Sequence, residues 1–178
     1  MSGRYIERNM AFNRERLGRF SGQIYSQCAP PVNRLKYGRF GNIDYSGCGA
    51  AAIYNALRLA GQPRDLCEVI AACERLKLPR AGALLGTKPF AVGRAFRYYN
   101  IPYKKYTNAD DFIRQLEHST VGVICTWNKR MWGTHFYCLY RRGKRYYALN
   151  YSCRASRPEP FTVDKISPFR FIVGYVLS

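Results

Sequence analysis

Acidic residues are scarce in this chain: 11 Asp and Glu stand against 29 Lys and Arg, a formal net charge of +18. Histidine is scarcer still, with only His118 and His135 among 178 residues. No CxxC occurs among the seven cysteines, Cys28, Cys48, Cys67, Cys73, Cys125, Cys138 and Cys153. Two histidines and no CxxC argue against a zinc ribbon and leave a mixed Cys/His metal site unsupported, so neither metal nor cofactor is expected. The odd cysteine count and irregular spacing argue against a full disulfide framework. Reduced thiols are expected, most of them packed as small apolar core residues. No apolar run reaches the roughly 18–20 residues of a membrane span. The opening MSGRYIERNMAFNRERLGRF has no apolar core of the kind a Sec signal needs. No membrane span is expected, and the expected location is cytoplasmic, with export by a non-Sec route left open.

The length and a hydrophobic fraction of 47%, with 15 Tyr and 10 Phe, suit a folded domain with a substantial core. The positive charge bears on partners rather than on fold, and acidic polypeptides, nucleic acid and anionic surfaces all fit it. Residues 1–40 carry eight Lys or Arg against two Glu, weak apolar periodicity and a Pro30-Pro31 breaker. They are expected to form a basic N-terminal arm or lead-in, with residues 41–178 as the domain proper.

From residue 47 the pattern sharpens. CGAAAIYNALRLAG predicts a helix, with apolar or small residues at Ala51, Ile53, Tyr54, Leu57 and Ala60 and a stop at Gly61. DLCEVIAACERLK (65–77) predicts a second, opened by Asp65. TKPFAVGRAFRYYN predicts a third, with Thr87 as N-cap and Pro89 in the first turn. NADDFIRQLEHS predicts a fourth, its acids in the first turn. After residue 120 the segments VGVICTWN, THFYCLYRR, KRYYALNY and FRFIVGYVL are rich in β-branched and aromatic residues, and Arg142-Gly143-Lys144 predicts a tight hairpin. Helices followed by an antiparallel sheet make an α+β fold.

Cys48 opens the first of these helices. Unpaired N–H groups and the positive dipole end favour a thiolate there, so a lowered pKa is expected. Gly47 and Gly49 allow a tight turn and close approach of a substrate. His135 starts a strand, where its imidazole can take the proton of a thiol at a helix N-terminus. Asn150, across the hairpin, offers an amide oxygen to the second imidazole nitrogen. Asn42, six residues before Cys48, offers an amide donor to an oxyanion hole beside the Cys48 N–H. His118, at a helix end beside Glu117, is expected to be structural.

The order Asn42, Cys48-Gly49, ICTW (124–127), His135-Phe136 and Asn150 resembles papain-like cysteine peptidases. Within them it is most similar to the family that removes double-glycine leaders from bacteriocin precursors, over residues 40–152. The resemblance implies a papain-like fold with an N-terminal helical layer on a C-terminal antiparallel sheet. It implies peptide or protein hydrolysis through a Cys48–His135–Asn150 triad and a thioester held by Asn42 and the Cys48 N–H. Tyr45, Gly47 and Trp132 are the expected substrate contacts. Trp127 could line the same cleft, with packing the favoured role. Asn42 stands where that family usually has Gln, Asn150 where Asp is frequent, and Ala50 where Pro is frequent. A free-standing relative with a substrate other than double-glycine leaders is the expectation.

Between Glu117 and Glu159 no acid occurs, while Lys129, Arg130, Arg141, Arg142, Lys144, Arg145, Arg154 and Arg157 do. A positive field around the site would hold Cys48 as thiolate and steer acidic substrates, or form only a solvated face. Two further classes stay open. One is another acyl-transfer enzyme on the same triad, such as a deamidase or transglutaminase. The other is a basic nucleic-acid-binding module without catalysis, which lacks a recognised motif and is not favoured.

Overall fold

A computed structural model describes residues 3–128 and 133–178. The chain runs through α1 (Gly3–Leu17), β1 (Lys36–Tyr37), β2 (Gly41–Asn42), α2 (Ile43–Ser46), α3 (Cys48–Leu59), α4 (Leu66–Arg75), α5 (Gly93–Tyr98), β3 (Tyr103–Tyr106) and α6 (Ala109–Glu117). It then forms β4 (Val121–Asn128), β5 (Gly133–Arg142), β6 (Arg145–Leu149), β7 (Glu159–Phe161) and β8 (Phe171–Leu177). Among the described residues, β3 to β8 form one antiparallel sheet in the order β3-β8-β4-β5-β6-β7. The α+β layout expected from the sequence is the observed one, and no described helix is long and apolar enough to cross a membrane.

Each sheet face carries its own core, as strand alternation requires. Val123, Cys125, Phe136, Cys138, Val173 and Tyr175 point to the layer of α3 and α4. Ile124, Tyr137, Leu139 and Val176 point to the layer of α6, with Phe112 and Leu116. Helix α3 is buried from Cys48 to Leu57, and its three small residues, Ala50, Ala51 and Ala52, let its first turn lie close to the sheet. Helices α4 and α6 are capped as their sequences predict, Asp65 accepting from Glu68 N and Asn108 from Asp110 N and Asp111 N. Arg142 pairs with Arg145 across the Gly143 turn.

The third predicted helix is different. Thr87 does not cap it: it is buried, its hydroxyl is 2.8 Å from the Tyr37 hydroxyl, and it bridges Pro79. Residues Pro89–Ala91 form a 3-10 turn, and α-helix starts only at Gly93. The polar partner offered by Tyr37 outcompetes the cap.

Within residues 1–40, α1 lies against α4 with Ile6, Asn9, Asn13 and Leu17 buried on one face. Two of those four positions are asparagines, which is why hydropathy does not reveal the stripe. Asn13 exchanges two hydrogen bonds with the backbone of Lys36, at 3.0 and 2.7 Å. Asn9 Nδ2 donates to Gly38 O and to Glu74 Oε1, each at 2.8 Å. The helix is therefore docked through specific polar pairs as well as through Ile6 and Leu17.

Candidate active site

Cys48 is the first residue of α3, following Gly47, and is only 5% exposed. Its Sγ faces the backbone of β5, 4.0 Å from Thr134 O and close to the Phe136 N–H. The thiol thus meets the strand on both sides of His135. The N–H groups of Phe136, Gly49 and Cys48 itself favour the thiolate, as the helix-start argument anticipates. Burial overrides them and pushes the thiol up to about 11. The expected lowered pKa is therefore corrected: the thiol is protonated at rest because the slim first turn sinks it into the core.

Both glycines are explained by the chain's own packing. A Cβ on Gly47 would lie 2.4 Å from Ile43 Cδ1, and one on Gly49 2.6 Å from the Thr87 side chain. The expected free space for a substrate at these positions is occupied by α2 and by Thr87.

His135 stacks on Tyr137, with ring centroids 6.1 Å apart, on the α6 side of the sheet. Its Nε2 is 2.7 Å from Asn150 O. A carbonyl only accepts, so Nε2 carries the proton and Nδ1 keeps the lone pair. Burial lowers the imidazole pKa, and the backbone around Asn150 and Tyr151 partly restores it. The neutral ring, with a basic Nδ1, is the resting form. Cys48 lies in the other core layer, with Phe136 and Cys138. Among the described residues, no hydrogen bond joins its thiol to the imidazole.

Asn150 sits one residue past β6, in the left-handed region at φ 62°, which Asn tolerates better than most residues. It holds His135 through its main-chain carbonyl, while its side chain turns elsewhere. Oδ1 accepts from Gln27 N at 2.7 Å, and Nδ2 donates to Gln27 Oε1 at 2.9 Å and Phe136 O at 3.2 Å. Gln27 in turn donates through Nε2 to Ile43 O and Asp44 O, at 3.0 and 2.7 Å. This buried amide pair ties the His135 strand to α2, immediately before Cys48. Sequence reasoning missed Gln27, which lies in the weakly patterned segment before Pro30. Its one signal is an amide in a chain that has Asn42, not Gln, six residues before Cys48.

Asn42 caps α2, its Oδ1 accepting from Tyr45 N at 3.0 Å, so its amide donors are at the Nδ2 end. Tyr45 is 70% exposed and lines a cavity of about 630 Å³ with Gln27, Asn150 and His135. Trp132 lies outside the described residues. Trp127, expected to pack, is instead 40% exposed. It lines a second cavity, of about 550 Å³, with His135, Tyr151, Ser167, Lys165 and Arg170. His135 is common to both cavities.

No family model and no curated protein matches the chain. Solved structures do. The peptidase domain of Streptococcus ComA, a bifunctional ABC transporter involved in a quorum sensing pathway, superposes with a TM-score of 0.55 at 10% identity. The match covers 80% of this chain and 98% of that domain. A double-glycine motif protease from an AMS/PCAT transporter, in complex with its leader peptide, gives a TM-score of 0.48 at 17% identity, over 73% of this chain and 82% of that one. At such identities the likeness is one of architecture: the chain has the papain-like α+β fold of the ComA peptidase domain, helical layer first and antiparallel sheet second.

Proposed function

We propose that this chain is a cysteine peptidase in which Cys48 is the nucleophile and His135 the general base. The observation that carries the reading is the hydrogen bond from His135 Nε2 to Asn150 O. It fixes the tautomer with a basic Nδ1, on the strand whose backbone touches Cys48 Sγ on both sides of the histidine. The fold shared with a peptidase domain supports it. On this reading substrate entry brings the His135 Nδ1 to the Cys48 thiol while Nε2 stays on Asn150 O. Nδ1 takes the thiol proton as Sγ attacks the scissile carbonyl. Asn42 Nδ2 and the Cys48 N–H receive the oxyanion. The protonated imidazole then gives its proton to the leaving amine, and water releases the thioester. Asn150 acts through its backbone carbonyl, and Gln27 is a positioning residue.

The cavity of Trp127 and Tyr151 supports one substrate class on this reading. Lys165 and Arg170 line it beside His135, and no Asp or Glu is among its described lining residues. Acidic peptides are the matching substrates, drawn in by charge and held by the two exposed rings. A second reading, a peptide-binding module with a silent thiol, has one observation in its favour: Cys48 is buried and protonated, with no hydrogen bond to an imidazole among the described residues.

Cleavage of a peptide library sorted by charge separates the readings. Acidic members are expected to be cut, and Cys48→Ala is expected to abolish cutting. The double variant Lys165→Gln/Arg170→Gln is expected to lower kcat/KM for acidic peptides roughly 10- to 100-fold and to leave neutral ones within about 2-fold. Binding of acidic peptides without cleavage would establish the silent module instead.

A further inference from the structure

Two thiols that the proposed reaction does not use lie together at the edge of the Gln27–Asn150 pair. Cys28 follows Gln27, and Cys153 comes three residues after Asn150. The hydroxyl of Ser26 joins their backbones, accepting from Cys28 N at 3.1 Å and donating to Cys153 O at 3.0 Å. The two side chains are near enough for Cys153 to raise the Cys28 thiol, and they line the same cavity as His135. Both are free thiols, Cys153 exposed and Cys28 partly so, whereas the other five cysteines are buried.

We infer that Cys28 and Cys153 form a reversible disulfide, a redox clasp that staples residues 26–28 to the loop after β6. The oxidant is a low-molecular-weight disulfide. The exposed Cys153, as thiolate, attacks one sulfur of that disulfide, and the first small thiol leaves. Cys28 then attacks the mixed disulfide at Cys153 Sγ, forming the Cys28–Cys153 bond and releasing the second small thiol. The two cysteines lose two electrons and two protons, and both are recovered in the two released thiols. Burial, then the neighbouring Cys153 and the Asp44 carboxylate, hold Cys28 high, at about 12, which makes it the slow, resolving partner. The clasp closes a loop of more than a hundred residues around the candidate site, and it fixes Gln27 against Asn150 in the oxidised form.

The test uses the native full-length chain and oxidised glutathione, followed by acid quenching and non-reducing peptide mapping. The expected product is one Cys28–Cys153 cross-link with two thiols lost, reversed by dithiothreitol. A rise in Tm of roughly 5–10 °C is expected to accompany it. Cys28→Ser is expected to stop at a glutathione adduct on Cys153. Stable adducts on the wild-type chain without a cross-link, a cross-link to any other cysteine, or no reaction at all would each overturn the clasp. These readouts need no peptidase activity, so they stand apart from the reading of Cys48.

Discussion

Asn150→Ala is expected to destabilise the fold by about 4 kcal/mol, seen as a lowered urea midpoint with an unchanged slope. The change removes three side-chain hydrogen bonds at once and leaves Gln27 N, Gln27 Oε1 and Phe136 O without that partner in the core. It also puts alanine at a φ of 62°, which costs about 1 kcal/mol more than for asparagine. Asn150→Asp is the sharper variant, because aspartate is frequent at this position in the family the sequence resembles. Here the carboxylate would keep the acceptor for Gln27 N but face Gln27 Oε1 and Phe136 O, two acceptors, with no proton to give. The expected loss at pH 7 is as large as for alanine. An Asn150→Asp variant whose stability stays within about 0.5 kcal/mol of wild type would contradict the assignment of the amide pair.

Glu74 is expected to make the docking of α1 depend on pH with the opposite sign to an ordinary surface carboxylate. Its Oε1 accepts from Gly38 N at 2.7 Å and from Asn9 Nδ2, while Oε2 is buried without a hydrogen-bond partner among the described residues. Burial dominates these favourable donors and raises the carboxyl from 4.5 to about 7. A folded pKa above the unfolded one means that the neutral acid stabilises. That contribution is fully present below about pH 4.5 and is lost as pH rises through 7. The loss amounts to about 3 kcal/mol by pH 8.5. Glu74→Gln keeps an oxygen acceptor for Gly38 and Asn9 and removes the titration. Urea midpoints of the two proteins are expected to converge near pH 4 and to separate at pH 8.5, with the glutamine variant the more stable there. Parallel profiles would contradict the burial argument.

How far the structure was legible in the sequence depended on whether the stabilising groups were apolar. Helix α3, the capped α4 and α6, and the β5–β6 hairpin announce themselves by periodicity, caps and a turn glycine, because hydrophobic burial holds them. Helix α1 does not, since Asn9 and Asn13 occupy half of its buried face. Strand β7 is three residues long with a proline at its centre, too short for alternation to register. At the candidate site, the residue types and their order were readable, and the roles assigned to them belong to the proposal. The use of the Asn150 carbonyl instead of its amide was not, because that depends on Gln27 arriving from a distant segment. The high thiol pKa was equally hidden: a helix start is local, whereas the burial that overrides it is set by β5 and the whole sheet.

On the proposed reading Cys48 attacks and His135 activates it, in a site whose thiol is protonated until substrate is in place. A peptide electrophile tests this most directly, since it supplies the substrate contacts that a small alkylating agent lacks. An acidic peptide vinyl sulfone is incubated with the full-length chain near pH 7, and the adduct is located by mass spectrometry. A single adduct on Cys48 is expected, formed about 100-fold more slowly or worse in His135→Ala. Modification of the exposed Cys153 in preference to Cys48, or a Cys48 rate untouched by the loss of His135, would contradict that reading.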